Sequence, residues 1–240
     1  MPDEATRKQG RRVRPSTALA FLAGTLVALL LAGIWIIARP GAGAAGVDPS
    51  LARTMALSDR IAGSTPAPDF SLVDQHGHTV RLSAFRGRPV VLTFLDPHCT
   101  DVCPIISAEF LRADKQLGHG SSVAFVAVNV NPYATSPAAV SGYMAEHGLD
   151  GLGNFTFATG AATQLAPVWK DYGVYVQAPD PTADVVHTSV TYFIDRSGVI
   201  RYEAMPDVDH RSDGSSYLPQ GTIDQWGAGI AQVVSELQHT

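Results

Sequence analysis

The chain has 240 residues, of which 45% are hydrophobic and 16% charged, and its formal net charge is -5. That is enough apolar material for one or two domains around a real core, which excludes wholesale disorder. A net-negative chain whose few basic clusters lie at its N-terminus lacks the basic footprint that nucleic acid requires, so no nucleic-acid partner is expected.

The first element in chain order is apolar. Ala18 to Ala38 reads "ALAFLAGTLVALLLAGIWIIA", with Thr25 its polar interruption, and a helix needs about twenty such residues to cross a bilayer. Arg7, Lys8, Arg11, Arg12 and Arg14 precede this stretch and only Arg39 follows closely. The positive-inside rule then places residues 1–17 in the cytoplasm and the remainder outside the cell membrane, behind a single-pass anchor. A cleaved secretory signal is the alternative, but its apolar core runs to only about 7 to 15 residues. "RPGAGAAGVDPS" opens a segment, 39–65, that reads as a flexible linker with room for a short helix over Leu51 to Ile61. The folded domain is expected over 66–240.

Within that domain "DFSLVDQHGHTVRL" predicts a hairpin around Gly77. "RPVVLTFLD" (88–96) and "SVAFVAVNV" (122–130) are continuous apolar runs, the pattern of buried central strands. Cys103 to Leu117 puts Ile106, Phe110, Ala113 and Leu117 on one helical face. A helix with Ser136 as N-cap and Pro137 at its first position follows the second strand. Next come a short strand in "NFTFAT", a helix from Ala161 to Tyr172 and a hairpin in "SVTYFIDRSGVIRYEA" turning at Arg196-Ser197-Gly198. Thr222 opens a last helix striped by Ile223, Trp226, Ile230 and Leu237. Strands alternating with helices in this order predict a three-layer α/β domain with a central mixed sheet.

Cys99 and Cys103 are the only cysteines, and they sit where the first buried strand gives way to a helix. Free N-H groups and partial positive charge at a helix start favour a thiolate, and residues four apart share a helical face, so the two sulfurs can meet each other or one metal ion. An inert disulfide is the bland reading, yet so small a loop gains the least from closure. Zinc lacks the further ligands of a closed site, whereas copper(I) accepts two thiolates and one imidazole. His187, just before the strand expected beside 88–96, is the first candidate for that imidazole, and His98 ranks second because in an extended chain it points away from Cys99. "MPDVDHRSDG" (205–214) matches no metal-loop spacing and reads as a solvated loop or a partner-facing surface.

"APDFSLVDQHGHTVRLSAFRGRPVVLTFLDPHCTDVCP" resembles the entry to the thioredoxin-like fold shared by peroxiredoxins and membrane-anchored thiol proteins. "HCTDVCP" with a lone His before "TSVTYFID" is similar to the Sco/SenC copper-chaperone family, over a range from Pro66 to the C-terminus. The resemblance implies a membrane-tethered metallochaperone that binds one copper, as copper(I) with copper(II) a second state, through Cys99, Cys103 and His187. It further implies that the protein assists assembly of the binuclear copper site of cytochrome c oxidase subunit II, or serves another extracytoplasmic cuproprotein, and that Cys99 and Cys103 form a redox pair able to reduce the target's disulfide. One departure is Asn129 and Asn131 in "VNVNPYATSP", where the family carries carboxylates. The rival readings are a copper-free thiol-disulfide oxidoreductase and, behind it, a peroxiredoxin-like peroxidase.

Overall fold

The computed structural model describes residues 46–239 apart from Gly120 and Asp207, so the expected cytoplasmic segment and the apolar span 18–38 lie outside the described residues. Among the described residues no helix is long and apolar enough to cross a membrane.

The chain enters through helix α1 (Pro49–Thr54), whose N-cap Asp48 accepts a hydrogen bond from the Ser50 N-H at 2.7 Å. Strands β1 (Ser71–Val73) and β2 (Thr79–Arg81) form the expected antiparallel hairpin. Asp74 organises its turn by accepting from the His76 and His78 N-H groups, while Gly77 takes the left-handed conformation the turn requires. Then come β3 (Val90–Leu95), α2 (Val102–Leu117), β4 (Ala124–Asn129), α3 (Pro137–Glu146), β5 (Phe155–Ala158) and α4 (Ala162–Asp171). The remaining strands are β6 (Val176–Gln177), β7 (Val186–His187), β8 (Thr191–Ile194), β9 (Ile200–Ala204), β10 (Asp209–His210) and β11 (Ser216–Tyr217), and α5 (Gln220–Leu237) closes the domain.

Five strands make one mixed sheet in the order β5-β4-β3-β8-β9. β3, β4 and β5 run parallel, and β8 returns antiparallel to β3, with Val90 opposite Ile194 and Thr93 opposite Thr191. Because successive residues point to opposite faces, β3 supplies two cores at once. Val91 and Leu95 join α2, α3 and α5 in one cluster, while Val90, Leu92 and Phe94 join Leu165, Val168 and Trp169 of α4 and the β1–β2 hairpin in the other. Continuous apolar runs at β3 and β4 follow from that two-sided burial. The three-layer α/β expectation stands on this arrangement.

Two boundaries differ from the sequence reading. Residues 47–61, expected within a flexible linker, pack on the domain. Met55 is fully buried against Gly229 of α5, Val47 is buried too, and the Asp48 N-H donates to Gln232 at 2.7 Å. Beyond α1 the chain runs along the exposed side of β9, where the Ser58 and Ile61 N-H groups donate to the Glu203 and Arg201 carbonyls at 2.9 and 2.8 Å. The Gly/Ala-rich lead-in hid this, because the contact is carried by scattered groups without a period: Val47 and Met55, the Thr54 and Ser58 hydroxyls, the Arg60–Glu236 ion pair and a few backbone groups. The last helix starts at Gln220 rather than Thr222, with Pro219 fixing the backbone at its N-cap.

Candidate metal and thiol site

The carboxyl end of β3 releases the chain at Asp96, and the cysteine loop crosses from there to the start of α2. Asp96 is buried, and its Oδ1 accepts from the His98 N-H at 2.8 Å and from Asn131 Nδ2 at 2.9 Å. Asn131 is fixed in turn: its own N-H donates to Asn129 Oδ1 at 2.8 Å, and its Oδ1 accepts from the Tyr133 and Ala134 N-H groups. Asn129 donates to the Ala134 carbonyl and to Thr159 Oγ1. The two asparagines that depart from the family's carboxylates are therefore interior framework. Asn131 needs an N-H to meet the Asp96 carboxylate, and a second carboxylate there would face the first across hydrogen-bond distance with no proton between them.

Cys103 is fully buried on the first turn of α2, and Cys99 is partly buried in the preceding loop; both are free thiols. The Cys103 N-H points at Cys99 Sγ, 3.4 Å away, and the Asp96 N-H points at Cys103 Sγ, 3.5 Å away. Behind Cys103, Ser107 Oγ donates to the Cys103 carbonyl at 2.9 Å, which leaves the Tyr143 hydroxyl as donor to Ser107 at 2.8 Å. The pair is electrostatically asymmetric. The Cys103 thiol hydrogen-bonded to it pulls Cys99 down to about 6, backbone N-H groups of Cys103, Asp101 and Val102 add to this, and partial burial opposes it. Cys103 moves the other way, pushed well above its ordinary value by its bond to Cys99 and by burial. Cys99 is the thiolate and Cys103 the thiol that donates to it.

His187 sits in β7, which pairs with β6 as a small ribbon (Val176 opposite His187) outside the main sheet. The strand that lies beside β3 is β8, four residues on, so the expected neighbourhood is right and the element is a separate one. The ribbon returns the imidazole to the cysteines, with Nε2 3.9 Å from Cys103 Sγ. His187 Nδ1 lies 3.1 Å from the Thr188 carbonyl, which can only accept, so the ring proton is on Nδ1 and the Nε2 lone pair faces the sulfur. Burial holds the ring below the ordinary histidine range, against the opposing pull of the Thr188 carbonyl and Asp96, which favours the neutral, ligating form.

These residues line an open cleft of about 430 Å³ at the carboxyl ends of β3 and β4, bounded by Asp96, His98, Cys99, Asp101, Asn131 and His187. His98, ranked second, lines the same cleft and is exposed. Among the described residues no three His, Cys, Asp or Glu side chains stand as a ready cation cage. Sequence reasoning missed Asp96, which carries no motif, met Asn131 only as a departure from the resemblance, and left Asp101 unassigned. Asp101 accepts from the N-H and Oγ of Ser216 at 2.6 and 2.8 Å, which ties the β10–β11 hairpin to the cysteine loop. The "MPDVDHRSDG" segment enters that hairpin, where Asp209 and His210 pair with Tyr217 and Ser216.

A family model described as SCO1/SenC matches residues 59–212. The chain belongs to the SCO1/SenC family. Among SCO1/SenC relatives, the Bos taurus "Protein SCO2 homolog, mitochondrial" is 29% identical over 201 residues, covering 81% of this chain and 72% of that one. Peroxiredoxin Q of Triticum aestivum is 27% identical over 195 residues, covering 81% of this chain and 77% of that one. Of solved structures, Bradyrhizobium japonicum ScoI with copper bound is 24% identical, covers 69% of this chain and 98% of that one, and has a TM-score of 0.50. BsSco, described as a member of the Sco family of cytochrome c oxidase assembly proteins, is 18% identical over 73% of this chain and 97% of that one, with a TM-score of 0.54. At such identities these structures show the shared fold, which is the expected thioredoxin-like α/β arrangement around a mixed sheet.

Proposed function

We propose that this SCO1/SenC member is a copper chaperone that holds one copper(I) through Cys99, Cys103 and His187. The observation that carries the reading is the His187 Nε2 lone pair facing Cys103 Sγ at 3.9 Å. Metal-sulfur and metal-nitrogen bonds of about 2.3 and 2.0 Å span about 3.7 Å at a trigonal angle, so imidazole and thiolate need little movement to share an ion. Cys103 gives up its proton on metal binding, and Cys99 turns from the helix start to supply the second sulfur. Soft thiolates with a neutral imidazole suit copper(I), with copper(II) a second state. The copper in the Bradyrhizobium relative and the oxidase-assembly role of BsSco support cytochrome c oxidase as the destination, with its subunit II copper site the specific acceptor we propose. The apolar stretch Ala18 to Ala38 supports a single-pass anchor with the domain on the extracytoplasmic side.

The test is copper(I) stoichiometry of the reduced protein. Wild type is expected to take up one ion per chain with mixed sulfur and nitrogen coordination by X-ray absorption. His187→Ala loses retention far more than His98→Ala does. All-sulfur coordination, or unchanged affinity in His187→Ala, defeats the reading. A second reading, thiol-disulfide reductase activity on the copper target, is favoured by the partly exposed Cys99 thiolate beside a protonated Cys103. Its test is reduction of the oxidised acceptor by copper-free protein, with Cys99→Ser inactive.

A further inference from the structure

Asp101 is the N-cap residue of α2, yet its carboxylate makes no capping hydrogen bond. An aspartate in that position ordinarily accepts from the N-H of the second or third helical residue. Here the third is Pro104, which has no N-H. The second is Cys103, whose N-H is directed at Cys99 Sγ at 3.4 Å. The Asp101 carboxylate and the Cys99 sulfur therefore have a claim on the same N-H. The contest is decided 115 residues away: the Ser216 N-H and Oγ hold the carboxylate at 2.6 and 2.8 Å, turned from the helix start. Ser216 is itself buried, on a strand whose partner His210 comes within 3.4 Å of its hydroxyl through Nδ1.

We infer that Asp101 and Ser216 form a positioning clasp that reserves the Cys103 N-H for the Cys99 sulfur. The inference rests on Cys99 and Cys103 being the working pair, and it adds the pair of residues that governs their donors. Breaking the clasp from the serine side frees the carboxylate to cap α2 and take the N-H from sulfur. Breaking it from the aspartate side removes the competitor and leaves the sulfur its donor. The two substitutions thus have different consequences: Ser216→Ala removes the Oγ bond and keeps the backbone one, whereas Asp101→Ala removes both together with the competing carboxylate.

The experiment compares wild type, Ser216→Ala, Asp101→Ala and the double variant in the full chain. The first readout is the dithiol-disulfide equilibrium of Cys99 and Cys103 against glutathione at pH 7. The second is the rate of alkylation by iodoacetamide at pH 5, in which the Cys99 sulfur bonds to the methylene carbon and iodide leaves. Ser216→Ala is expected to make the pair more reducing by about fivefold in that equilibrium and to slow alkylation by about threefold, since one charge-assisted hydrogen bond to the thiolate is lost. Asp101→Ala shows neither effect, and the double variant behaves like Asp101→Ala. A purely structural tie between hairpin and loop gives the same change in both single variants and no rescue in the double, and either that pattern or an unchanged Ser216→Ala overturns the inference. Should Ser216→Ala fail to fold, Ser216→Gly and its double with Asp101→Ala carry the same comparison. Neither readout involves copper, so failure of the copper reading leaves them interpretable.

Discussion

Gly227 and Gly142 are both helical glycines, and replacing each by alanine is expected to change stability in opposite directions. A Cβ at Gly227 would lie 2.3 Å from the Arg112 Cβ, 2.9 Å from the Arg112 carbonyl carbon and 3.0 Å from the Ala113 nitrogen. Two of those three atoms are backbone, so relief requires α5 to part from α2 by about 1 Å instead of a side chain turning aside. Overpacking of that kind costs about 1–3 kcal/mol, and its upper end applies where backbone must move. Alanine's higher helix propensity returns about 1 kcal/mol, leaving a net loss of about 2 kcal/mol. For a domain of this size that corresponds to a melting temperature lowered by about 4–8 °C. Nothing lies within 4 Å of a Cβ built at Gly142 in α3, so there only the propensity gain of up to about 1 kcal/mol is felt and the melting temperature rises by about 2–4 °C. Thermal melts followed by circular dichroism at one pH decide the matter. A Gly227→Ala protein that melts at or above wild type refutes the close approach of α2 and α5, and a Gly142→Ala protein that melts below wild type refutes the open space at that position.

Three other outcomes are expected. Thiolate at Cys99 should appear through about pH 6, so its rate of reaction with iodoacetamide climbs across that range while Cys103 stays unmodified; mass-spectrometric site assignment at several pH values checks both. Burial alone pushes the Glu109 carboxyl up to about 8, and Oε1 has no hydrogen-bond partner. Its folded-state affinity for a proton exceeds the unfolded one, so its contribution to stability is intact below pH 4.5 and falls as pH rises towards 8. Glu109→Gln should remove that decline, a gain over wild type of the order of a few kcal/mol by pH 8 that urea titrations at pH 5 and pH 8 would show. Asn131→Ala strips the buried Asp96 carboxylate of one donor, and an unfolding free energy lowered by about 2–3 kcal/mol is expected from denaturant melts.

Period and punctuation exposed most of the fold. The apolar runs at 88–96 and 122–130 fit buried strands and proved to be two-sided ones, and Ser136-Pro137 marked the first turn of α3. Both hairpins were legible because glycine stands at each turn. Residues 47–61 were not, since their hold on the domain comes from scattered contacts with no period, among them Val47, Met55, the Arg60–Glu236 ion pair and two carbonyls of β9. His187 stands out among the eight histidines by its place just before the strand expected beside 88–96, but its ribbon of two residue pairs is too short to leave a pattern. The links from Asp96 to Asn131 and from Asp101 to Ser216 join residues 35 and 115 positions apart. Each is an ordinary polar side chain locally, and only the folded chain reveals what it faces.

The segment laid along β9 has a counterpart at the other border of the sheet. There Val73 and Thr159 exchange N-H···O bonds at 2.8 and 2.7 Å, and Gln75 accepts from the Phe157 N-H and donates to the Phe155 carbonyl. Both outer strands are thereby shielded by the chain's own backbone or amide groups, the condition that keeps sheets from zipping onto one another. Among the described residues, strand addition, by which many proteins capture extended peptides, finds both borders of the main sheet occupied. A partner that docks at the cleft would be met by its mouth loops and by the two small ribbons, β6–β7 and β10–β11, that stand outside the main sheet.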